Sequence, residues 1–150
     1  EVMGLIINKQ MDYNLSDIDS SVNEKKIKVF SGGPVNQDNL FFIHDEPEII
    51  KNSRFCYDNL CFGGDYEKLI QMINNKEIDW RNKVKFFSGY SGWTLEQLNQ
   101  EIKEGSWIID NKKNINVFEN NVKYLWKNKI KKSNSKFRIW LNAPNDPQDN

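Results

Sequence analysis

Val84-Lys85-Phe86-Phe87-Ser88-Gly89-Tyr90-Ser91-Gly92-Trp93-Thr94-Leu95-Glu96-Gln97-Leu98 holds the change of period that decides the fold. Val84–Phe87 is a short β-branched and aromatic run, which predicts a strand. The glycines break it, and a helix begins at once. Thr94 as N-cap with Gln97 three residues on makes a capping box, and Trp93 and Leu98 stand at the staple positions. Leu95, Leu98 and Ile102 predict the buried stripe of this helix, and Gly105 its left-handed stop.

Similar short runs predict strands at Gly4–Asn8, Ile27–Phe30, Leu40–His44, Arg54–Tyr57, Leu60–Phe62, Trp107–Asp110, Asn116–Phe118 and Phe137–Leu141. A second helix follows Gly63-Gly64-Asp65, with Asp65 as cap and Tyr66, Leu69, Ile70 and Ile73 on one apolar face. A third starts near Val122, with Val122, Leu125, Trp126 and Ile130 inward; Lys129 falls inside that stripe and weakens the pattern beyond Asn128. The tail Ala143–Asn150, with Pro144 and Pro147, predicts irregular chain. Strands outnumber helices and lie too close together for βαβ crossovers, so the expectation is an α+β fold with a largely antiparallel or mixed sheet. No repeat or long linker interrupts residues 1–150, so one domain is expected.

Lys+Arg and Asp+Glu number 21 each, a formal net charge of zero in 150 residues. Such a neutral total argues against a generally basic nucleic-acid binder. No apolar run approaches the roughly 20 residues of a membrane helix, and the chain opens on nothing resembling a signal peptide. Two cysteines make no disulfide framework, which fits a reducing compartment; a cytoplasmic location is expected.

The candidate chemistry is sparse. Arg54–Phe62 reads as a hairpin turning at Asp58-Asn59, which would place Cys56 opposite Cys61; a strained bridge or two reduced apolar side chains would both fit, the second better. With one histidine, zinc lacks ligands, and neither metal nor cofactor is expected. Ser88–Trp93 has the setting of a nucleophile elbow, but Trp93 stands where that motif needs glycine. A hydrolase-like reading would have to use His44 or Ser91, and nothing in the sequence brings them together. His44-Asp45-Glu46 reads more simply as a loop than as a base or metal site. Glycine turns at Gly32-Gly33-Pro34, Gly63-Gly64-Asp65 and Gly89–Trp93 match no Walker or Rossmann spacing. If there is a ligand site, these turns (Gly32, Gly33, Pro34, Gly63, Gly64, Asp65, Gly89, Gly92 and Trp93) are its candidates, converging at one end of the sheet.

The charge is polarised. Residues 121–140 hold Lys123, Lys127, Lys129, Lys131, Lys132, Lys136 and Arg138 and no acid, so a stretch of +7 is balanced by −7 elsewhere. Lys123, Lys127 and Lys131 share a helical stripe, and with Lys132 they are the candidates for contact with phosphate backbones. A solvated helix face is the plainer reading.

Taken in order, several segments resemble the YqgE/AlgH family of small bacterial proteins: Gly4–Lys9, Phe30–Val35, His44 after an apolar strand, Phe62–Asp65, Phe87–Trp93 with Leu98, Gly105–Trp107, and Leu125-Trp126. Asn142-Ala143-Pro144-Asn145-Asp146-Pro147 is similar to the ending of Bacteroidetes members. The resemblance implies a curved, half-barrel-like mixed sheet with two or three helices packed beside it. It also implies that a family N-terminal strand segment is lacking here, since the chain starts almost on the first motif. The family is described as transcriptional regulators with the biochemical role largely unassigned, which implies a non-enzymatic protein acting through protein or small-ligand contacts. No helix-turn-helix is visible, because a strand separates the two well-specified helices.

Overall fold

The computed structural model describes residues 1–111, 115–133, 136 and 140–141. They belong to two compact units, Glu1–Asn120 and Asn121–Asn150. The first unit contains β1 (Val2–Gly4), β2 (Gln10–Asn14), α1 (Leu15–Ile18), β3 (Lys28–Ser31), β4 (Val35–His44), β5 (Arg54–Tyr57), β6 (Leu60–Phe62), α2 (Tyr66–Asn74), α3 (Trp80–Lys83), β7 (Val84–Trp93) and α4 (Leu95–Lys103). The strands form one open sheet in the order β2-β3-β7-β4-β6-β5, with β1 on the far end of β7. β3 runs parallel to β7 and every other pairing is antiparallel, so the sheet is mixed and the class is α+β.

β7 is the axis, and it is longer than its apolar run. Gly89 adopts φ 69° and absorbs a bulge, so the strand continues to Trp93 and pairs there with β1. β4 likewise starts at Val35, five residues before its apolar segment. Between the pairs Val35↔Tyr90 and Leu40↔Ser88 the register shifts, and Asn36 at φ 50° turns the extra residues out of the sheet.

Alternation along the strands then sorts the side chains onto two faces. Val29, Leu40, Phe42, Val84 and Phe86 belong to the main core with Leu15, Leu69, Ile70, Met72, Ile73 and Trp80. The other face carries Phe30, Phe41, Ile43, Lys85 and Phe87. α2 forms as its pattern predicts: Asp65 Oδ1 accepts from Lys68 N at 3.0 Å, and Leu69, Ile70, Met72 and Ile73 are buried. Each such side chain contributes about 1.5–3 kcal/mol of apolar burial.

Several expectations need correction. Gly4–Asn8 is not a strand: β1 ends at Gly4, and the following segment crosses beside β3 through Ile6 N to Gly32 O (2.9 Å) and Ser31 N to Lys9 O (2.7 Å). β2, too polar to announce itself, forms the edge. Trp107–Asp110 and Asn116–Phe118 have strand-forming residues but are not strands among the described residues; Asn116 Oδ1 instead closes a turn onto Phe118 N at 3.1 Å. The strand expected at Phe137–Leu141 falls largely, and the tail Ala143–Asn150 wholly, outside the described residues. In α4, Thr94 Oγ1 accepts from Gln97 N at 3.0 Å, but Gln97 Nε2 donates to Glu101 rather than back to the cap. Its expected stripe is not buried either: Leu95 is 62% and Ile102 39% exposed. In the hairpin, Phe55 rather than Cys56 pairs with Cys61, because a bulge inserts Cys56 as an extra residue. Cys56 is exposed, Cys61 is buried, and both are free thiols.

The second unit holds α5 (Leu125–Lys132). Val122 and Ile130 are buried, whereas Trp126 is exposed. Lys129 within the stripe does not end the helix, since a lysine stem can lie along apolar surface with its charge in water. Ser133 Oγ donates to Ile130 O at 2.6 Å and closes the last turn.

Candidate functional site

A cleft of about 800 Å³ opens on the core face of the sheet, and its lining comes from four separate stretches of the first unit. Leu40 and Phe42 of β4 and Ser88 of β7 form the floor. Tyr13 of β2 and Ile18 and Asp19 at the end of α1 form one wall, and Gly63, Gly64 and Tyr66 form another. The outturned residues Gln37, Asp38 and Asn39 make the rim, pinned where Ser88 Oγ donates to Gln37 O at 2.5 Å.

Tyr66 and Asp19 tie the two walls together. The Tyr66 hydroxyl donates to Asp19 Oδ2 at 2.6 Å, while Ser21 N and Oγ donate to Oδ1 at 2.9 and 2.7 Å. The Tyr66 hydroxyl, and Ser21 behind it, hold the Asp19 carboxyl below its ordinary range, so it stays ionised. Burial and the neighbouring carboxylate push the Tyr66 phenol upward, which keeps it a donor. The ring of Tyr66 lies 6.1 Å from that of Phe42.

Just behind this cleft sits His44, fully buried. Its Nδ1 accepts from Glu46 N at 3.1 Å, so Nε2 carries the proton and donates to Gly63 O at 3.0 Å. Both ring nitrogens are spent on backbone, and the ring fixes the start of the Gly63-Gly64 turn. Asp45 and Glu46 turn instead to Lys83, at 3.7 and 2.5 Å. His44 pairs with Val84 at one end of β7. Ser91 lies seven residues along the same strand, roughly 20 Å away at about 3.3 Å per residue, and its Oγ faces Gly32 O at 3.4 Å. The two do not form a nucleophile–base pair.

Burial pushes the His44 imidazole below its ordinary value of 6.5. The native state therefore binds fewer protons than the unfolded chain below about pH 6.5, and stability falls as pH drops through that value. His44→Gln is expected to flatten this acid limb and to cost about 2 kcal/mol at pH 7 through imperfect replacement of two buried hydrogen bonds. Urea midpoints at pH 7, 6 and 5 for both proteins check it; parallel curves would refute the assignment.

Residues 1–138 match the family model described as AlgH-like. The chain belongs to the AlgH-like family. It is 35% identical to a UPF0301 protein of Bacteroides thetaiotaomicron and 37% identical to one of Bacteroides fragilis, each over 99% of this chain and 75% of the relative. A UPF0301 protein of Chlorobium limicola is 31% identical over 97% of this chain and 77% of its own. The solution structure of the AlgH protein from Pseudomonas aeruginosa superimposes with a TM-score of 0.66 at 20% identity, covering 96% of this chain and 79% of that one. A crystal structure of a Corynebacterium diphtheriae protein gives the same TM-score at 16% identity, covering 93% and 75%. At those identities the structures speak for the fold.

In this AlgH-like chain the glycine turns take two places. Gly63 and Gly64 line the cleft, and Asp65 is occupied in capping α2. Gly32, Gly33 and Gly89 pack backbone to backbone where β3, β4 and β7 meet, with Gly32 N donating to Ser88 O at 2.8 Å. Pro34 and Gly92 are exposed, and none of Gly32, Gly33, Pro34, Gly89, Gly92 or Trp93 lines the cleft. The lysine candidates lie in the second unit. Lys131 and Lys132 end α5 exposed, Lys127 is half-buried, and Lys123 Nζ stands 5.4 Å from the Tyr124 ring centre. Arg138 is outside the described residues. Among the described residues no group of three or more His, Cys, Asp or Glu could hold a metal, and no helix is long and apolar enough to cross a membrane.

Sequence reasoning missed two clusters. Lys85 is 2% exposed, its Nζ 3.8 Å from the Phe30 ring centre and donating to Ile7 O (2.8 Å) and Glu119 O (2.7 Å). A lysine inside Val84–Phe87 was the available signal. Glu101 accepts from Trp107 Nε1, Gln97 Nε2 and Trp93 Nε1 at 2.9, 2.9 and 3.2 Å, which holds its carboxyl below the ordinary range.

Proposed function

We propose that this AlgH-like chain acts by binding rather than by catalysis, as a regulatory protein of the cytoplasm whose small-ligand contact is the cleft beneath Gln37–Asn39. The cleft itself carries the reading: its size lies within the usual range of about 300–1,000 Å³ for ligand sites, and rings and a few polar groups converge there. The engagement of both His44 nitrogens by backbone supports a binding role over a hydrolytic one. The two free thiols fit a reducing compartment.

An amide NMR screen of the protein against a fragment collection tests this. Ligand-induced shifts should concentrate at Asn39, Phe41, Gly64 and Tyr66. Shifts confined to other surfaces would overturn the assignment. A second reading, direct nucleic-acid binding through Lys123–Arg138, is favoured by one observation: α5 carries Lys127, Lys129, Lys131 and Lys132 and no acid. It requires a salt-dependent affinity whose log–log slope shallows when Lys131 and Lys132 are neutralised.

A further inference from the structure

We propose that the cleft takes an organic cation, an ammonium or guanidinium group carried on a small apolar or aromatic body. This rests on the reading of the cleft as a binding site and adds the chemistry of what enters it. Both charged side chains among the described lining residues, Asp19 and Asp38, are acids. They share the lining with the aromatic residues Tyr13, Phe42 and Tyr66 of the core face.

Each feature selects for positive charge by a separate route. Asp19 accepts three hydrogen bonds from Tyr66 and Ser21, which orient its carboxylate and leave about one of its four acceptor positions open. Asp38 is exposed on the rim and makes no hydrogen bond or ion pair among the described residues. A charged donor would meet it without displacing a partner. Aromatic ring faces attract a cation within about 6 Å and gain strength as the site loses water. An anion would meet two carboxylates instead. The helix end nearest the cleft offers it no refuge, because Asp65 already places a carboxylate at the N-terminus of α2.

Three probes with the same ring and similar length isolate the head group: 2-phenylethylammonium, 2-phenylethanol and 3-phenylpropionate. Each is titrated into the protein to about 10 mM, the range in which fragments of this size bind, while cleft amides are followed by NMR. The ammonium should shift Asn39, Phe41, Gly64 and Tyr66 with an affinity about tenfold or more above the alcohol. The carboxylate should leave them unmoved. Asp38→Asn, a change at an exposed rim position, should weaken the ammonium severalfold and leave the alcohol as it was. Alcohol or carboxylate binding as tightly as the ammonium would overturn the cationic class while keeping the cleft as a site. No cleft shift with any probe would overturn the cationic proposal, whereas the fragment screen decides independently whether the cleft binds anything at all.

Discussion

Gly89→Ala is expected to destabilise the protein by about 3 kcal/mol or more, from backbone strain and overpacking together. Gly89 sits at φ 69°, and a Cβ there would lie 2.5 Å from Gly33 O, 2.8 Å from Val35 O and 3.3 Å from Gln37 Cα. All three are main-chain atoms, so none can swing aside as a side-chain tip would. Gly105→Ala provides the control. Its φ of 78° carries the same conformational cost, but nothing lies within 4 Å of the added methyl. That variant should lose only about 1–2 kcal/mol. Urea unfolding of both, read at the midpoint with constant slope, separates strain from crowding. Equal losses would mean that the contact with Gly33 and Val35 is not what matters. Because the same bulge turns Gln37–Asn39 outward, Gly89→Ala should also disturb the amides of the cleft rim, which Gly105→Ala should leave in place.

That bulge also marks the border of what could be read from the sequence. α2 was legible because cap, apolar spacing and length agree: Asp65, then Tyr66, Leu69, Ile70 and Ile73. The β5–β6 hairpin was legible for the same reason, but its register was not, since a single bulged residue at Cys56 has no composition signal. β4 was half hidden because Asn36-Gln37-Asp38-Asn39 is polar where the strand leaves the sheet, and a glycine inside β7 looks like a breaker when it is a bulge. In α4 the apolar spacing is legible and its exposure is not: periodicity says which residues share a face, and only the tertiary fold says what covers it. The cleft was illegible for a related reason. Tyr66 and Asp19 are 47 residues apart, and only sheet order brings them to 2.6 Å. The turn residues Gly63 and Gly64 were the one part of it that turn chemistry could nominate.

Stability is expected to rise, not fall, as pH increases from 8 towards 10, and Lys85 is the cause. Burial lowers its ammonium from the ordinary 10.5 to about 8, outweighing the upward pull of the Glu119 charge, while Nζ donates to Ile7 O and Glu119 O and faces the Phe30 ring. Between those two values the unfolded chain holds a proton that the native protein has released, so the slope of unfolding free energy with pH is positive. Below pH 8 both states are protonated, and the native state bears the full cost of a buried charge, on the order of 2–3 kcal/mol. Three other groups work in the opposite sense. The Tyr66 phenol, the Cys56 thiol and the Lys83 ammonium are all raised, so each favours the native state only until the unfolded group begins to lose its proton. Comparison with Lys85→Met cancels those contributions. Methionine keeps the stem and removes the charge, leaving Ile7 O and Glu119 O without their donor at a cost of about 1–3 kcal/mol each. At pH 7 that loss is largely offset by the vanished desolvation penalty, so the variant should fall within about 2 kcal/mol of the wild type. At pH 10 no such offset remains, and the gap should widen by about 2 kcal/mol or more. Urea midpoints of the two proteins at pH 7, 8.5 and 10 give the answer; a gap that stays constant or narrows would show that Lys85 does not titrate inside the fold.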